Sequence, residues 1–156
     1  MAPILDENSL EFISYGAEQT RRLGAHLGAL LRGGDVVCLE GELGAGKTCL
    51  AQGVGRGWGV SQTLISPSFV LIREYERPGD SLRLCHIDLY RISGAEEAIG
   101  LGLDDLLGEP HIVCVIEWPE RARELVPHEH LWVRLKTIEP TRRALSFTAR
   151  GERHAE

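Results

Sequence analysis

Gly41-Glu42-Leu43-Gly44-Ala45-Gly46-Lys47-Thr48 fits the phosphate-binding pattern G-x-x-x-x-G-K-[ST], and its neighbours decide how it is read. Before it runs the apolar stretch Val36-Val37-Cys38-Leu39, and after it comes a helix-compatible stretch over residues 49–58. Strand, glycine loop and helix are the context this pattern needs. Glycines let the backbone wrap a chain of phosphates, and consecutive N–H groups at a helix N-terminus point at the phosphate oxygens. Lys47 is placed to reach the β and γ phosphates, and the Thr48 hydroxyl to hold a Mg²⁺ that bridges them. The chain has only two lysines, Lys47 and Lys136, and otherwise uses arginine for its basic positions. A glycine-rich turn with an incidental lysine is therefore the weaker reading.

Composition bounds the rest. At 156 residues the chain is expected to form one domain over residues 1–150, with 151–156 as an unstructured tail. Seventeen basic against 23 acidic residues leave a net charge of −6, with no block of lysine and arginine. Tight autonomous binding to nucleic acid is not expected from that balance, because phosphate neutralisation supplies most such affinity. If RNA is involved, another chain holds it. Cys38, Cys85 and Cys114 lie in apolar runs, and no C-x-x-C pair occurs. They read as small hydrophobes rather than as a disulfide framework or a zinc site. No apolar stretch approaches the ~20 residues of a membrane span, and no secretory leader precedes Ile4. The expected location is the cytoplasm.

Along the chain, residues 10–14 read as a strand and 17–31 as an amphipathic helix with Thr20, Leu23, Leu27, Leu30 and Leu31 on one stripe. Gly33-Gly34 ends that helix. A hydroxyl-rich loop with Ser61, Thr63, Ser66 and Ser68 follows the phosphate-loop helix. Residues 69–75 and 82–90 read as strands joined through Pro78-Gly79-Asp80, a hairpin signal. Short helical pieces at 95–100 and 103–107 precede the continuous apolar strand 111–116. Strands 131–136 and 144–149 flank a turn at Pro140-Thr141. The fold expected is α/β: a single P-loop NTPase domain, with central parallel strands extended by antiparallel ones and helices on both faces.

A phosphate loop leaves Mg²⁺ with one protein ligand, so a carboxylate is expected at the C-terminal end of a buried strand. Two acids qualify. Glu117 follows five apolar residues, and Asp88 ends His86-Ile87-Asp88. Ligands of doubly wound sheets sit outside the carboxyl ends of the parallel strands, which makes Glu117 the natural partner of Thr48, directly or through water. Asp88 either orients the attacking water, binds a metal-bound water, or is a structural acid pairing with Arg91 or His86. Trp118 is either a wedge beside the metal site or a core residue. Tyr90 and Arg91 reach phosphate, a partner or solvent. His26, His111, His128, His130 and His154 show no metal-ligand spacing.

With residues 41–48, Ser66-Pro67-Ser68-Phe69, His86-Ile87-Asp88-Leu89-Tyr90-Arg91 and Glu117-Trp118-Pro119 in this order, the chain resembles the TsaE (YjeE) family of small bacterial ATPases. The resemblance spans nearly all of residues 17–142. It implies a P-loop domain with a mixed sheet, ATP and Mg²⁺ as ligands, and slow ATP hydrolysis. It further implies a role in forming N6-threonylcarbamoyladenosine in tRNA beside TsaD and TsaB proteins, with tRNA met only through that complex. By the family pattern Glu42, Leu43, Gly44, Ala45, Gly46, Lys47, Thr48 and Cys49 hold the nucleotide, and Thr48 and Glu117 hold Mg²⁺. Lys47, Asp88 and Glu117 serve hydrolysis, while Ser66, Pro67, Ser68 and Phe69 form a nucleotide-sensing loop. Arg142 is the candidate nearest the base. Ser68 stands where the family usually has threonine, and Cys49 where a second hydroxyl is common. Ser68 keeps the hydroxyl, and Cys49 keeps its backbone N–H.

Two other functions share the loop. A small-molecule kinase must also hold an acceptor under a lid, for which Arg121 and Arg123 are the available arginines. A GTPase switch normally reads guanine through an Asn/Thr-Lys-x-Asp segment, and neither lysine here fits one.

Overall fold

The computed structural model describes residues 4–6, 9–61, 64 and 72–151. Its strands are β1 (Ile4–Asp6), β2 (Ser9–Ser14), β3 (Val36–Glu40), β4 (Ile72–Glu76), β5 (Arg83–Asp88), β6 (Ile112–Glu117), β7 (His130–Glu139) and β8 (Arg142–Arg150). Its helices are α1 (Ala17–Leu30), α2 (Lys47–Trp58), α3 (Ala95–Gly100) and α4 (Leu103–Leu106), with a 3₁₀ stretch over Pro119–Leu125. The strands form one sheet in the order β1-β2-β8-β7-β3-β6-β5-β4. β7, β3, β6 and β5 run parallel, and β4 on one edge and β8, β2 and β1 on the other are antiparallel additions. This is the expected architecture.

Alternation along the central strands divides the core in two. Val37 and Leu39 of β3 join Val113 and Val115 of β6 under α1 and α2, while Val36, Cys38, Cys114 and Ile116 face α3, α4 and the 3₁₀ stretch. Both faces are covered, which is why β3 and β6 read as unbroken apolar runs. Cys38, Cys85 and Cys114 are buried and unpaired, as small core residues.

The α1–α2 contact differs from a leucine stripe. Leu23 and Leu27 pack against the core, but Leu30 is 69% exposed, and the residues α1 buries are Thr20, Gly24 and Gly28. A Cβ on Gly24 would stand 2.4 Å from Leu50 O, and one on Gly28 2.1 Å from Val54 O. Reciprocally, a Cβ on Gly53 would meet Arg21 O at 2.1 Å and one on Gly57 Ala25 O at 2.0 Å. The two helices touch backbone to backbone. Their low-propensity glycines, each worth roughly 1 kcal/mol against alanine, are offset by that close approach. At the top of α1 the Ser14 and Thr20 hydroxyls share a buried hydrogen bond of 2.7 Å.

Two other differences are local. β5 stops at Asp88 instead of reaching Tyr90, because Asp88 Oδ1 accepts from Tyr90 N at 2.9 Å and turns the chain. β1 is a further strand at the sheet edge, too short for alternation to mark it. Of the strand expected over 69–75, residues 69–71 lie outside the described residues, as do Thr63, the sensing loop 66–69 and the tail beyond Gly151.

Candidate functional site

The loop between β3 and α2 takes its shape from glycine. Gly44 and Gly46 have φ of 80° and 103°, values that side chains resist, and a Cβ on Gly41 would stand 2.7 Å from Leu135 O. Gly46 caps α2, whose first residue is Lys47. The helix N-terminus therefore opens on the loop, with the N–H groups of Lys47, Thr48 and Cys49 in its first turn. Thr48 and Cys49 are half-buried, and Glu42 and Leu43 form the exposed tip.

Lys47 is 5% exposed. Its Nζ donates to Gly41 O and, at 2.9 Å, to Glu42 O, and stands 4.3 Å from the centre of the Trp118 ring. Burial pulls its pKa below the ordinary lysine value, against the opposing pull of the Glu117, Glu120, Asp88 and Glu42 carboxylates. The cation is desolvated but ringed by negative charge.

The strand-end acids come together. β5 and β6 pair in register with Asp88 beside Glu117, and β3 pairs with β6 so that Leu39 lies beside Glu117. Both carboxylates thus stand at the carboxyl ends of neighbouring parallel strands, next to the strand that feeds the loop. Both are buried, at 8% and 3% exposure. His86, two residues before Asp88 on the same face, points Nε2 at Glu117 Oε2 over 2.6 Å. Histidine therefore pairs with Glu117, not with Asp88, whose Oδ1 is held by Tyr90 N. The sequence offered one signal for His86: a polar residue inside the otherwise apolar run Leu84-Cys85-His86-Ile87, spaced by two from an acid.

Beyond Glu117 the chain turns through Trp118 at φ 60°, ψ 47°, among the described residues the sole non-glycine with positive φ. That conformation costs about 1–2 kcal/mol and precedes a proline, which restricts it further. The turn lays the indole against Tyr90, with ring centres 4.9 Å apart, and under Lys47. Trp118 is also packed against the core cluster that holds Val36, Cys38 and Ile116, as the core reading expects. Arg121 lies 5.8 Å from both the Tyr90 and Trp118 rings, while Arg123 stacks instead on Trp132 at 4.4 Å. Arg142 pairs with Glu139 and covers Tyr15; its neighbour Arg143, not singled out by the sequence, donates to Gly44 O at 3.2 Å. A cavity of about 360 Å³ opens beside the start of the loop, between Gly41, Glu42, Trp118 and Lys136.

Among the described residues no three His, Cys, Asp or Glu side chains gather closely enough to hold a metal by themselves. No helix among the described residues is long and apolar enough to cross a membrane.

Residues 14–145 match the family described as "Threonylcarbamoyl adenosine biosynthesis protein TsaE". The chain is 43% identical over 135 residues to the tRNA threonylcarbamoyladenosine biosynthesis protein TsaE of Streptomyces coelicolor, covering 86% of each chain. It is 35% identical over 145 residues to the protein of the same name from Bacillus subtilis, covering 93% of this chain and 89% of that one. Among solved structures it is similar to the crystal structure of Bacillus subtilis YdiB, with a TM-score of 0.72, 32% identity, and coverage of 99% of this chain and 90% of that one.

Proposed function

The chain belongs to the TsaE family of threonylcarbamoyl adenosine biosynthesis proteins, and from that membership we propose that it is a Mg²⁺-dependent ATPase serving N6-threonylcarbamoyladenosine formation in tRNA. It works in the cytoplasm with TsaD-type and TsaB-type proteins, and meets tRNA through them. The observation that carries this reading is the convergence of Glu117 and Asp88, adjacent at the ends of β6 and β5, on the field of a buried Lys47.

The residues present fit the ligands. Gly44 and Gly46 take the left-handed backbone that lets a loop wrap a phosphate chain, and the first turn of α2 offers its N–H groups. The Thr48 hydroxyl and Glu117 would hold Mg²⁺, whose charge offsets that of the transferred phosphoryl group. Lys47 stabilises charge developing on the β and γ phosphates, for which it must leave Gly41 O and Glu42 O. Asp88, its carboxylate oriented by Tyr90 N, positions the attacking water. Arg142 stays the candidate nearest the base, and the loop 66–69 the candidate nucleotide sensor.

The roles separate in one titration of Mg²⁺ against ATP turnover. Glu117→Ala raises the Mg²⁺ requirement, and Asp88→Asn lowers turnover with nucleotide still bound. Equal metal dependence in Glu117→Ala and the parent would remove Glu117 from the metal site. A small-molecule kinase is the second reading, favoured by the 360 Å³ cavity beside Gly41 and Trp118, which is large enough for a small acceptor. Turnover that rises with a candidate acceptor and yields its phosphate would select it.

A further inference from the structure

We infer that His86 is a positioning residue for Glu117, fixing the carboxylate that would take the metal. This rests on the Mg²⁺ reading above and adds a residue to it. In the parallel register of β5 and β6, His86 lies beside Val115 and Asp88 beside Glu117, so the imidazole sits one step below the two acids on the α2 side of the sheet. It is fully buried, among Leu84, Val113 and Val115. Its Nε2 lies 2.6 Å from Glu117 Oε2, while Nδ1 is buried with no hydrogen-bond partner among the described residues.

Those facts select the tautomer. With a carboxylate oxygen as the acceptor, Nε2 carries the proton and donates it to Oε2. A proton moved to Nδ1 would leave Nε2 and Oε2 as two facing acceptors and bury a donor without a partner among the described residues. The ring is aimed by its strand at one oxygen of Glu117.

Stability alone does not call for this pair. An apolar residue of similar volume in each position would fill the same layer without burying an acid, often at no loss. What the pair supplies is orientation. A glutamate side chain gives up rotamer freedom when fixed, and a metal that must fix it binds more weakly for that reason. With Oε2 already tied to His86, the carboxylate is set before any ligand arrives. Groups that orient a metal ligand in this manner typically change metal affinity by about 10–100-fold when removed.

The test uses the full chain with a non-hydrolysable ATP analogue and Mn²⁺ as the metal, its binding followed by electron paramagnetic resonance. His86→Leu, which fills the space without a donor, should raise the Mn²⁺ half-saturation about tenfold and leave metal-free analogue binding unchanged. His86→Gln, whose amide nitrogen can reach the position of Nε2, should recover most of that loss. In the unaltered protein, ¹⁵N resonances of His86 should show the proton on Nε2 that the bond to Glu117 requires, a readout independent of whether His86→Leu folds. An unchanged half-saturation in a folded His86→Leu, equal losses in the Leu and Gln variants, or an Nδ1–H tautomer would each overturn the assignment. If the parent itself binds Mn²⁺ no better with the analogue than without, the metal reading of the site falls first, and the role of His86 with it.

Discussion

The Lys47 ammonium lies 4.3 Å from the centre of the Trp118 ring while donating to Glu42 O at 2.9 Å, so the loop's cation is committed to its own loop and to an indole. A phosphate chain in the loop must draw it away from both. Trp118 emission should therefore change when ATP binds, in a Trp58→Phe, Trp132→Phe background that leaves Trp118 as the one fluorophore. The same titration on Lys47→Met should show a much smaller change. An equal change in both would mean that Trp118 reports something other than the departure of Lys47.

Lys47→Met should abolish measurable ATP turnover without lowering the melting temperature. Burial holds the folded-state pKa of Lys47 below the ordinary 10.5, so the unfolded chain binds this proton more firmly than the fold. Below the folded-state pKa the buried cation opposes folding, and the opposition fades as pH rises from that value towards 10.5. The stability gap between variant and parent should accordingly be greatest near neutrality and close at alkaline pH. A variant clearly less stable than the parent at pH 7 would show that the two carbonyl hydrogen bonds outweigh desolvation.

The glycine seam predicts a contrast between helix positions. Gly28→Ala and Gly53→Ala each force a methyl to within 2.1 Å of a backbone oxygen and should destabilise by about 2–3 kcal/mol, because neither helix can shift without disturbing the core. Gly100→Ala at the end of α3 meets nothing within 4 Å and should be neutral or stabilising by up to about 1 kcal/mol. Urea denaturation of the three variants reads both signs. Equal effects at all three would dispose of the seam.

Which parts of this were legible in the sequence follows from what each part depends on. The P-loop and the Glu117 strand are dictated by local chemistry, glycine conformation in one and an unbroken apolar run in the other, and both were readable. The α1 contact was misplaced at Leu30 because its determinants are glycines, Gly24 and Gly28 on α1 and Gly53 and Gly57 on α2, and a glycine's missing side chain leaves no apolar period. The His86–Glu117 bond joins residues 31 apart that meet only through strand register, which the sequence does not print. Trp118 was ambiguous for a similar reason: its direction depends on one left-handed residue before Pro119.

Alkaline pH should loosen the fold through its thiols. Burial, chiefly, pushes Cys85 from 9.0 up to about 11, and drives Cys38 and Cys114 upward as well. A raised folded-state pKa gives a contribution that is intact below the unfolded value and lost as pH climbs through the folded one. The melting temperature should therefore fall from about pH 9 upward, and Cys85→Ala should soften that fall. The same slope in both proteins would exonerate Cys85.

ATP hydrolysis by this chain is proposed to serve the tRNA-modifying assembly. ATP turnover and repeated rounds of tRNA-adenosine modification should be measured in a mixture with TsaD-type and TsaB-type proteins and tRNA, with this chain present, absent, or carrying Glu117→Ala. Sustained modification and raised ATP turnover are expected only with the unaltered chain, and neither with the variant. Equal modification in all three mixtures would contradict that role.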